Sequence, residues 1–149
     1  MATFISNSAA ETQSLGEQWG REIAPGTVIA LSGELGAGKT QLVKGLARGL
    51  GYPGRVHSPT FSLINVYEGG RLPLFHLDLY RLDDPAQIVA AGLDPYLDPQ
   101  DAVAVVEWAE RWFGGVPQKW NVSAGRVRKV QIIAPTESRR HIDYEDTGA

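Results

Sequence analysis

The sequence predicts an α/β fold of three layers, with a mixed, mainly parallel central β-sheet and a terminal β-hairpin. Residues 27–31 and 102–106 are almost continuously apolar, which is typical of strands buried on both faces of a parallel sheet. A glycine-rich motif and a segment with helical periodicity follow the first of these strands, an order that is typical of α/β proteins. Residues 127–134 and 139–144 predict the two strands of the hairpin.

The N-terminal part predicts a short strand and two helices. Residues 3–6 form the strand, and Ser8 with Glu11 has the spacing of a capping box at the start of a helix. Apolar residues then recur at steps of four, which makes this helix amphipathic: Leu15, Trp19 and Ile23. A second amphipathic helix is predicted over residues 39–50, and Gly51 would end it.

The middle of the chain predicts two strands and a further helix. A loop, a strand, a tight turn and a second strand are expected in the order residues 52–60, 61–67, 68–70 and 72–80. Asp84 and Pro85 open the helix, because proline is favoured in the first helical turn. We expect this helix to end near Gly92.

The C-terminal part predicts little helix and a loose end. Residues 108–113 are expected to form one or two helical turns, and residues 145–149, which begin with two acids, a frayed tail. The chain has 149 residues, with neither an internal repeat nor a recognisable linker. A single domain over residues 1–149 is therefore predicted.

Eight consecutive residues match the pattern G-x-x-x-x-G-K-[ST] in full, through Gly33, Gly38, Lys39 and Thr40. In a phosphate-binding loop (P-loop), backbone N–H groups curl around phosphate oxygens, and glycines permit that backbone. Lys39 adds a cation for the terminal phosphates, and the Thr40 hydroxyl is placed to ligate Mg²⁺. The pattern also occurs by chance, but here it follows a buried strand and opens an amphipathic helix. The sequence therefore predicts a P-loop NTPase-like domain that binds a nucleotide, in which Lys39 is exposed and has no role in the core.

Two carboxylates compete for the role of metal ligand or water-positioning group. Asp78 shares one face of its predicted strand with His76 and Tyr80, because side chains alternate along a strand. Glu107 ends the apolar run 102–106. Ligands in parallel α/β sheets lie beyond the carboxyl ends of the strands, so both acids can reach a bound phosphate. A helix cap or a solvated edge is the alternative for each.

The segment Ser58-Pro59-Thr60-Phe61 lies where switch loops occur in many nucleotide hydrolases. Thr60 would there contact the metal or the attacking water, while a turn stiffened by proline is the alternative. Trp108 directly follows Glu107 and lies near the predicted site, although the sequence by itself favours a packing role for it. Nothing in the sequence indicates a zinc site.

Composition limits the class of protein. The chain has no cysteine, so disulfides and thiolate metal sites are excluded and a reducing compartment, the cytoplasm, is expected. Its net charge is −3 and no basic run is present, so tight direct binding of nucleic acid is not expected. No apolar run is long enough to predict a membrane span, and the N-terminus lacks the layout of a signal peptide.

Four motifs in this order and spacing resemble the TsaE (YjeE) family of bacterial tRNA threonylcarbamoyladenosine synthesis. The motifs run through most of the chain: residues 33–40, Ser58-Pro59-Thr60-Phe61, His76-Leu77-Asp78-Leu79-Tyr80-Arg81-Leu82 and Val106-Glu107-Trp108. The resemblance covers about residues 8–112, and the terminal hairpin is only loosely similar. Together the motifs are far more specific than the P-loop alone.

The resemblance implies a P-loop α/β domain that binds ATP or ADP with Mg²⁺ and acts with the proteins TsaD and TsaB. It implies weak ATPase activity in isolation, with hydrolysis resetting the complex between turnovers. TsaD, and not the TsaE-like chain, would transfer the threonylcarbamoyl group to adenosine 37 of the tRNA.

Site residues follow from the same resemblance, position by position. Thr40 and Glu107 match the Mg²⁺-associated residues, and the catalytic set is Asp78, Thr60 and Glu107. An arginine late in the chain should lie near the nucleotide, and Arg139 and Arg140 compete for that place. The nucleotide-binding set implied by the resemblance is Ser8, Glu34, Leu35, Gly36, Ala37, Gly38, Lys39, Thr40, Trp108, Arg139 and Arg140.

Two other functions are compatible with a P-loop. A small-molecule kinase would need an arginine-rich lid and an acceptor pocket, but residues 83–101 contribute acids and no basic residue. A nucleotide-dependent binding module would not hydrolyse ATP, and the carboxylates Asp78 and Glu107 argue against it. ATP turnover measured alone, with small acceptors and with the partner proteins would discriminate between the three.

Overall fold

One β-sheet with helices on both faces organises the chain. The computed structural model describes residues 2–34, 36–59, 62–115, 120 and 122–147, and none of the helices in these ranges is long and apolar enough to cross a membrane. The strands are β1 Ala2–Ser6, β2 Val28–Gly33, β3 Ile64–Tyr67, β4 Leu74–Asp78, β5 Val103–Glu107, β6 Val127–Ile133 and β7 Arg140–Thr147. The helices are α1 Ala9–Glu22, α2 Lys39–Gly49, α3 Pro85–Ala90 and α4 Glu110–Phe113, with a 3₁₀-helix at Asp94–Leu97.

The described strands form a single sheet in the order β1-β7-β6-β2-β5-β4-β3. Strands β6, β2, β5 and β4 at its centre are mutually parallel. The remaining strands pair antiparallel, β3 with β4, β7 with β6 and β1 with β7. The prediction of a mixed sheet with a parallel centre and a terminal hairpin is therefore confirmed.

Side chains from the two faces of the sheet form two separate cores. Alternation along β2 sends Ile29 and Leu31 toward α1 and α2, and Val28 and Ala30 toward the opposite layer. That layer contains α3, the 3₁₀-helix and α4, and Ile88 of α3 is fully buried in it. Two helical layers around one sheet give the three-layer architecture that the sequence predicts.

Several element boundaries differ from the prediction. Strands β3 and β4 are shorter than expected, and the connection between them spans residues 68–73 rather than a tight turn. Helix α3 begins as predicted, because the Asp84 carboxylate caps it by accepting the Gln87 N–H at 3.0 Å. Helix α4 is a single turn that starts at Glu110, so Trp108 lies outside it.

The expectation of a frayed tail is wrong for residues 145–147, which continue β7 alongside β6. Glu145 pairs with Lys129 at 3.0 Å, and Asp146 accepts two hydrogen bonds from the Arg128 guanidinium at 2.7 and 3.1 Å. Cross-strand ion pairs of this kind stabilise an antiparallel edge, and the sequence spacing does not reveal them. Residues 148–149 of the predicted tail lie outside the described residues.

Helices α1 and α2 contact each other through their backbones. Gly16 and Gly20 of α1 lie against Gly45 and Gly49 of α2, each pair separated by four residues. A Cβ atom at Gly45 would overlap the Gln13 carbonyl oxygen, and one at Gly16 would overlap that of Leu42. The absence of side chains thus sets the short distance between α1 and the helix that follows the glycine-rich motif.

We expect Gly45→Ala to destabilise the protein by about 1–3 kcal/mol, because the new methyl group forces the two helices apart. Without the clash, the same change would stabilise the helix by about 1 kcal/mol, since alanine has the higher helix propensity. Urea unfolding followed by tryptophan fluorescence measures the difference. Ser14→Ala at an exposed position of α1 is the control and should be neutral or slightly stabilising. A Gly45→Ala variant as stable as that control would contradict the packing.

Asp146 predicts a pH dependence of stability. Hydrogen bonds from Arg128 lower its pKa from the ordinary value of 3.8, against the opposing effect of burial. Because the folded pKa lies below the unfolded one, the ion pair stabilises the protein above pH 3.8 and stops doing so as the pH falls through the lowered pKa.

At neutral pH, Asp146→Asn should therefore be less stable than wild type by about 0.5–1 kcal/mol, the range of a partly exposed pair. The gap between the two proteins should close on acidification, and also in about 1 M salt, which screens the pair. Urea titrations at a series of pH values measure it. A gap that stays constant down to the acid limit of folding would disprove this role of the carboxylate.

Candidate functional site

The glycine-rich loop, residues 33–40, connects the carboxyl end of β2 to the first turn of α2. Gly36 and Gly38 have φ values of +82° and +105°, in the left-handed region that glycine adopts without strain. The Ala37 N–H donates to the Glu34 carbonyl oxygen at 2.9 Å and closes a turn within the loop. Leu35, a predicted nucleotide-binding residue, lies outside the described residues. The loop has the curled backbone that phosphate binding requires.

The first turn of α2 presents free donors to this loop. Helix α2 begins at Lys39, and Gly38 at its N-cap supplies no side-chain acceptor. Backbone N–H groups in the first turn of a helix have no intrahelical partner, and together with the helix dipole they attract anions. Thr40 lies in this turn and is half-buried. The arrangement can therefore bind a phosphate group.

The two predicted carboxylates lie side by side at the carboxyl ends of neighbouring parallel strands. Asp78 of β4 is in register with Glu107 of β5, and each is 8% exposed. Glu107 binds two nitrogen atoms, with its Oε1 at 3.1 Å from Lys39 Nζ and its Oε2 at 3.0 Å from His76 Nε2. Asp78 instead accepts the Tyr80 N–H at 3.0 Å. Glu107 is thus the acid in direct contact with the loop lysine.

Burial and neighbouring charges shift the pKa of Glu107 in opposite directions. Burial by itself raises the pKa of this carboxyl, but the hydrogen bond and charge of His76, followed by those of Lys39, outweigh it and lower the pKa below its usual range. The carboxylate is therefore ionised at neutral pH. The expectation that Lys39 is exposed is wrong: its side chain is 18% exposed, because it turns inward to Glu107.

Trp108 follows Glu107 in a strained backbone conformation. Its φ is +61°, in the left-handed region, where a bulky residue is uncommon and which costs energy. The side chain is 40% exposed, with the Tyr80 ring centroid at 5.1 Å and the Arg111 guanidinium 5.1 Å from the indole centre. A packing role for Trp108 does not explain this exposure, and strain of this kind is typical of functional sites.

Two small cavities flank the glycine-rich loop. One, of about 290 Å³, lies between the start of α1 and the loop and is lined by Ser8, Gly38 and Arg140 among others. The other, of about 130 Å³, is lined by residues that include Lys39 and Trp108. A larger groove of about 580 Å³ lies along the outer side of α2 and contains none of the loop residues. The chemistry of the loop, and not cavity size, therefore identifies the candidate site.

Of the two late arginines, Arg140 lies against the glycine-rich loop. Its Nη2 is 3.4 Å from the Gly36 carbonyl oxygen, and its Nη1 donates to the carbonyl oxygens of Thr136 and Glu137 at 2.9 and 3.0 Å. Arg139 is exposed and precedes β7. The hairpin between β6 and β7 thus fixes one guanidinium beside the loop.

The switch-like segment is tied to the strand of Asp78. The Leu63 N–H donates to the Pro59 carbonyl oxygen at 2.8 Å, and the Leu63 carbonyl oxygen accepts the Asp78 N–H at 2.9 Å. Leu63 has a φ of +69°, so a second strained residue lies beside the second carboxylate. Thr60 and Phe61 of this segment lie outside the described residues.

The family model described as "Threonylcarbamoyl adenosine biosynthesis protein TsaE" matches residues 6–142 of this chain. The chain belongs to the TsaE family. Two proteins named tRNA threonylcarbamoyladenosine biosynthesis protein TsaE illustrate the similarity. That of Treponema pallidum is 42% identical over 121 residues, which is 76% of this chain and 83% of the relative. That of Bacillus subtilis is 43% identical over 109 residues, 73% of this chain and 67% of the relative.

The TsaE protein of Synechocystis sp. is 46% identical over 102 residues, and the match spans 64% of either chain. The crystal structure of YdiB from Bacillus subtilis has the same fold, with a TM-score of 0.75 and 31% sequence identity. That similarity covers 99% of this chain and 86% of YdiB. The shared fold thus includes the terminal hairpin, which sequence motifs matched only loosely.

In this TsaE-family structure most of the predicted site residues that are described come together around the loop. Ser8 caps α1, where its hydroxyl accepts the Glu11 N–H at 3.1 Å, and it faces the loop across the 290 Å³ cavity. The reciprocal half of the expected capping box is replaced by a contact of 3.5 Å between the Ser8 hydroxyl and the Glu11 carboxylate. Glu34 is exposed, and Arg139 is exposed as well, with its backbone N–H donating to the Thr136 hydroxyl at 3.0 Å.

Sequence reasoning missed two contacts of this TsaE-family site. The sequence places His76 only on the same face as Asp78, whereas its hydrogen bond joins β4 to Glu107 of β5, 31 residues further along the chain. The contact of the Tyr80 ring with the Trp108 ring, tilted at 50°, also joins two strand ends. The available signal in the sequence was a histidine two residues before the strand-end acid Asp78. Its partner Glu107 could not be predicted, because this contact depends on the order of the strands in the sheet.

Proposed function

We propose that this protein is a Mg²⁺-dependent ATP-binding subunit required for threonylcarbamoylation of adenosine 37 in tRNA. In this proposal it acts in the cytoplasm with TsaD and TsaB, hydrolyses ATP slowly by itself and resets their complex by hydrolysis. Membership of the TsaE family supports the pathway. The observation that carries the biochemical part is the contact of the loop lysine, Lys39, with the strand-end carboxylate Glu107 at 3.1 Å.

The loop and the hairpin contribute the groups that would bind a nucleotide. Free backbone N–H groups at the start of α2 bind the phosphates, and the Lys39 ammonium moves from Glu107 to the terminal phosphates. The cavity between Ser8 and Arg140 accommodates the nucleoside, with the Arg140 guanidinium available to it. These groups come from different elements, so the site forms only in the folded domain.

The donor set fits Mg²⁺. The Thr40 hydroxyl and the Glu107 carboxylate are hard oxygen ligands, and Mg²⁺ usually takes one or two of these while phosphates and water supply the rest. Among the described residues no group of three or more histidine, cysteine or acidic side chains is arranged to hold a metal ion by itself, and this mode of binding needs none. When bound, the ion would neutralise charge on the phosphate oxygens. Asp78 and Glu107 are the two candidates for the residue that orients the attacking water.

Lys39→Ala should weaken the binding of ATP and ADP by about 10–100-fold, the loss expected for a charge-assisted hydrogen bond to phosphate. Calorimetric titration measures the affinity, and circular dichroism checks the fold. Lys44→Ala is the matched control, because Lys44 is an exposed lysine on the same helix, outside the loop. Equal nucleotide affinity in the Lys39→Ala variant and the control would reject the assignment of the loop.

ATP hydrolysis should be slow for the isolated chain and rise when TsaB and TsaD are added. Phosphoryl transfer needs a cation on the developing charge, and an arginine supplied by a partner increases the rate by about 10³–10⁵-fold. The strained, exposed Trp108 and the turn that ends at Leu63 lie next to the two buried carboxylates, and a partner that binds this edge can complete the site. A phosphate-release assay on the chain alone and on the three-protein mixture measures the stimulation.

The same assay with Thr60→Ala, Asp78→Ala or Trp108→Ala in the mixture should show most of the stimulation lost. Lys44→Ala again serves as the control. Rapid turnover by the isolated chain would refute a site completed by its partners, and so would variants as active as wild type. Phosphate transfer to a small acceptor in place of water would instead favour a kinase.

A further inference from the structure

The Glu107 carboxylate is held from two sides by groups of different mobility. Lys39 is at the start of α2 and its long side chain is 18% exposed, so it can turn toward a ligand in the loop. His76 is in the middle of β4 and is 1% exposed, so its ring cannot follow. The two contacts use different oxygens, Oε1 for Lys39 and Oε2 for His76.

A nucleotide in the loop removes one of these two contacts. If Lys39 turns to the phosphates, as the proposed function requires, Glu107 loses its ammonium partner and gains phosphate charges nearby. A carboxylate that is 8% exposed and has no partner is strongly disfavoured. What remains is the hydrogen bond from His76, in which Nε2–H donates because a carboxylate only accepts.

We propose that His76 is a positioning residue, which holds Oε2 of Glu107 when a nucleotide draws Lys39 away and so keeps Oε1 turned toward Mg²⁺. This inference rests on the proposed function. It assigns His76 no contact with the nucleotide or the ion. A hydrogen bond behind a metal ligand orients that ligand, and its loss commonly weakens metal binding about 10–100-fold.

The other ring nitrogen shows that His76 is not an ordinary core histidine. Nδ1 is the buried side-chain polar atom that lacks a hydrogen-bond partner among the described residues. An unsatisfied buried polar atom is unfavourable, and an aliphatic residue at this position would avoid it. Asn65, in register with His76 on β3, bonds instead to Ser62, His57 and Tyr67, and the Tyr67 hydroxyl donates to the His57 carbonyl oxygen. The contact with Glu107 therefore accounts for a histidine here.

The test compares the affinity for a non-hydrolysable ATP analogue in EDTA and in Mg²⁺, measured by calorimetry on the full chain. His76→Leu keeps the bulk of the ring and removes the donor. We expect its affinity in EDTA to stay within about 3-fold of wild type, because the loop is intact. The Mg²⁺ gain, which is the ratio of the affinity in Mg²⁺ to that in EDTA, should fall about 10–100-fold. His76→Gln, whose terminal amide reaches about as far as Nε2, should restore most of that gain.

Two controls separate positioning from a loss of stability. Leu77 is next to His76 in β4, but its side chain is fully buried on the opposite face of the sheet. The variant Leu77→Val should therefore lower the stability of the protein and leave the Mg²⁺ gain unchanged. In a Glu107→Gln background, His76→Leu should reduce the gain no further. If His76→Leu does not fold, His76→Asn replaces it, because its shorter amide does not reach Glu107 and the same loss is expected.

The outcomes are distinguishable. A wild-type protein that binds no nucleotide, or gains nothing from Mg²⁺, would overturn the proposed function and this inference together. A wild-type gain that His76→Leu and His76→Asn both retain would overturn the inference alone. The inference would also be overturned if His76→Leu lowered the Mg²⁺ gain further in the Glu107→Gln background, because His76 would then not act through Glu107.

Discussion

The carboxylate of Glu107 is the point on which the candidate site depends. It joins three elements, since Glu107 ends β5, Lys39 starts α2 and His76 lies in β4. A buried carboxylate is stable only when its partners are in place, so this contact fixes the distance between the glycine-rich loop and the sheet. The same requirement leaves the site sensitive to any ligand that competes for Lys39.

The second constraint is the close approach of α1 to α2. Glycines at the crossing let the two backbones touch, and Ser8 at the start of α1 lines a cavity together with Gly38 of the loop. Arg140 reaches the same cavity from the terminal hairpin. The loop is therefore enclosed by elements from both ends of the chain, although its own sequence spans only a few residues.

The exposed edge of the site differs in character from its interior. Trp108 and Leu63, the non-glycine residues with left-handed backbones in the described part of the chain, each adjoin one of the two carboxylates. Tyr80 and Arg111 lie against the Trp108 ring and leave it partly exposed. Strain and aromatic exposure therefore coincide at this edge of the candidate site, beside both carboxylates.

The sequence alone determined the local features. Patterns within a few residues predict the glycine-rich loop, the buried central strands, the caps of α1 and α3 and the positions of Asp78 and Glu107 at strand ends, because backbone conformation and side-chain alternation are local properties. Only the tertiary structure decided which acid contacts Lys39, that His76 supports it, that Arg140 and not Arg139 reaches the loop, and that residues 145–147 belong to β7. These contacts join residues that are far apart in the chain, and the order of the strands brings them together.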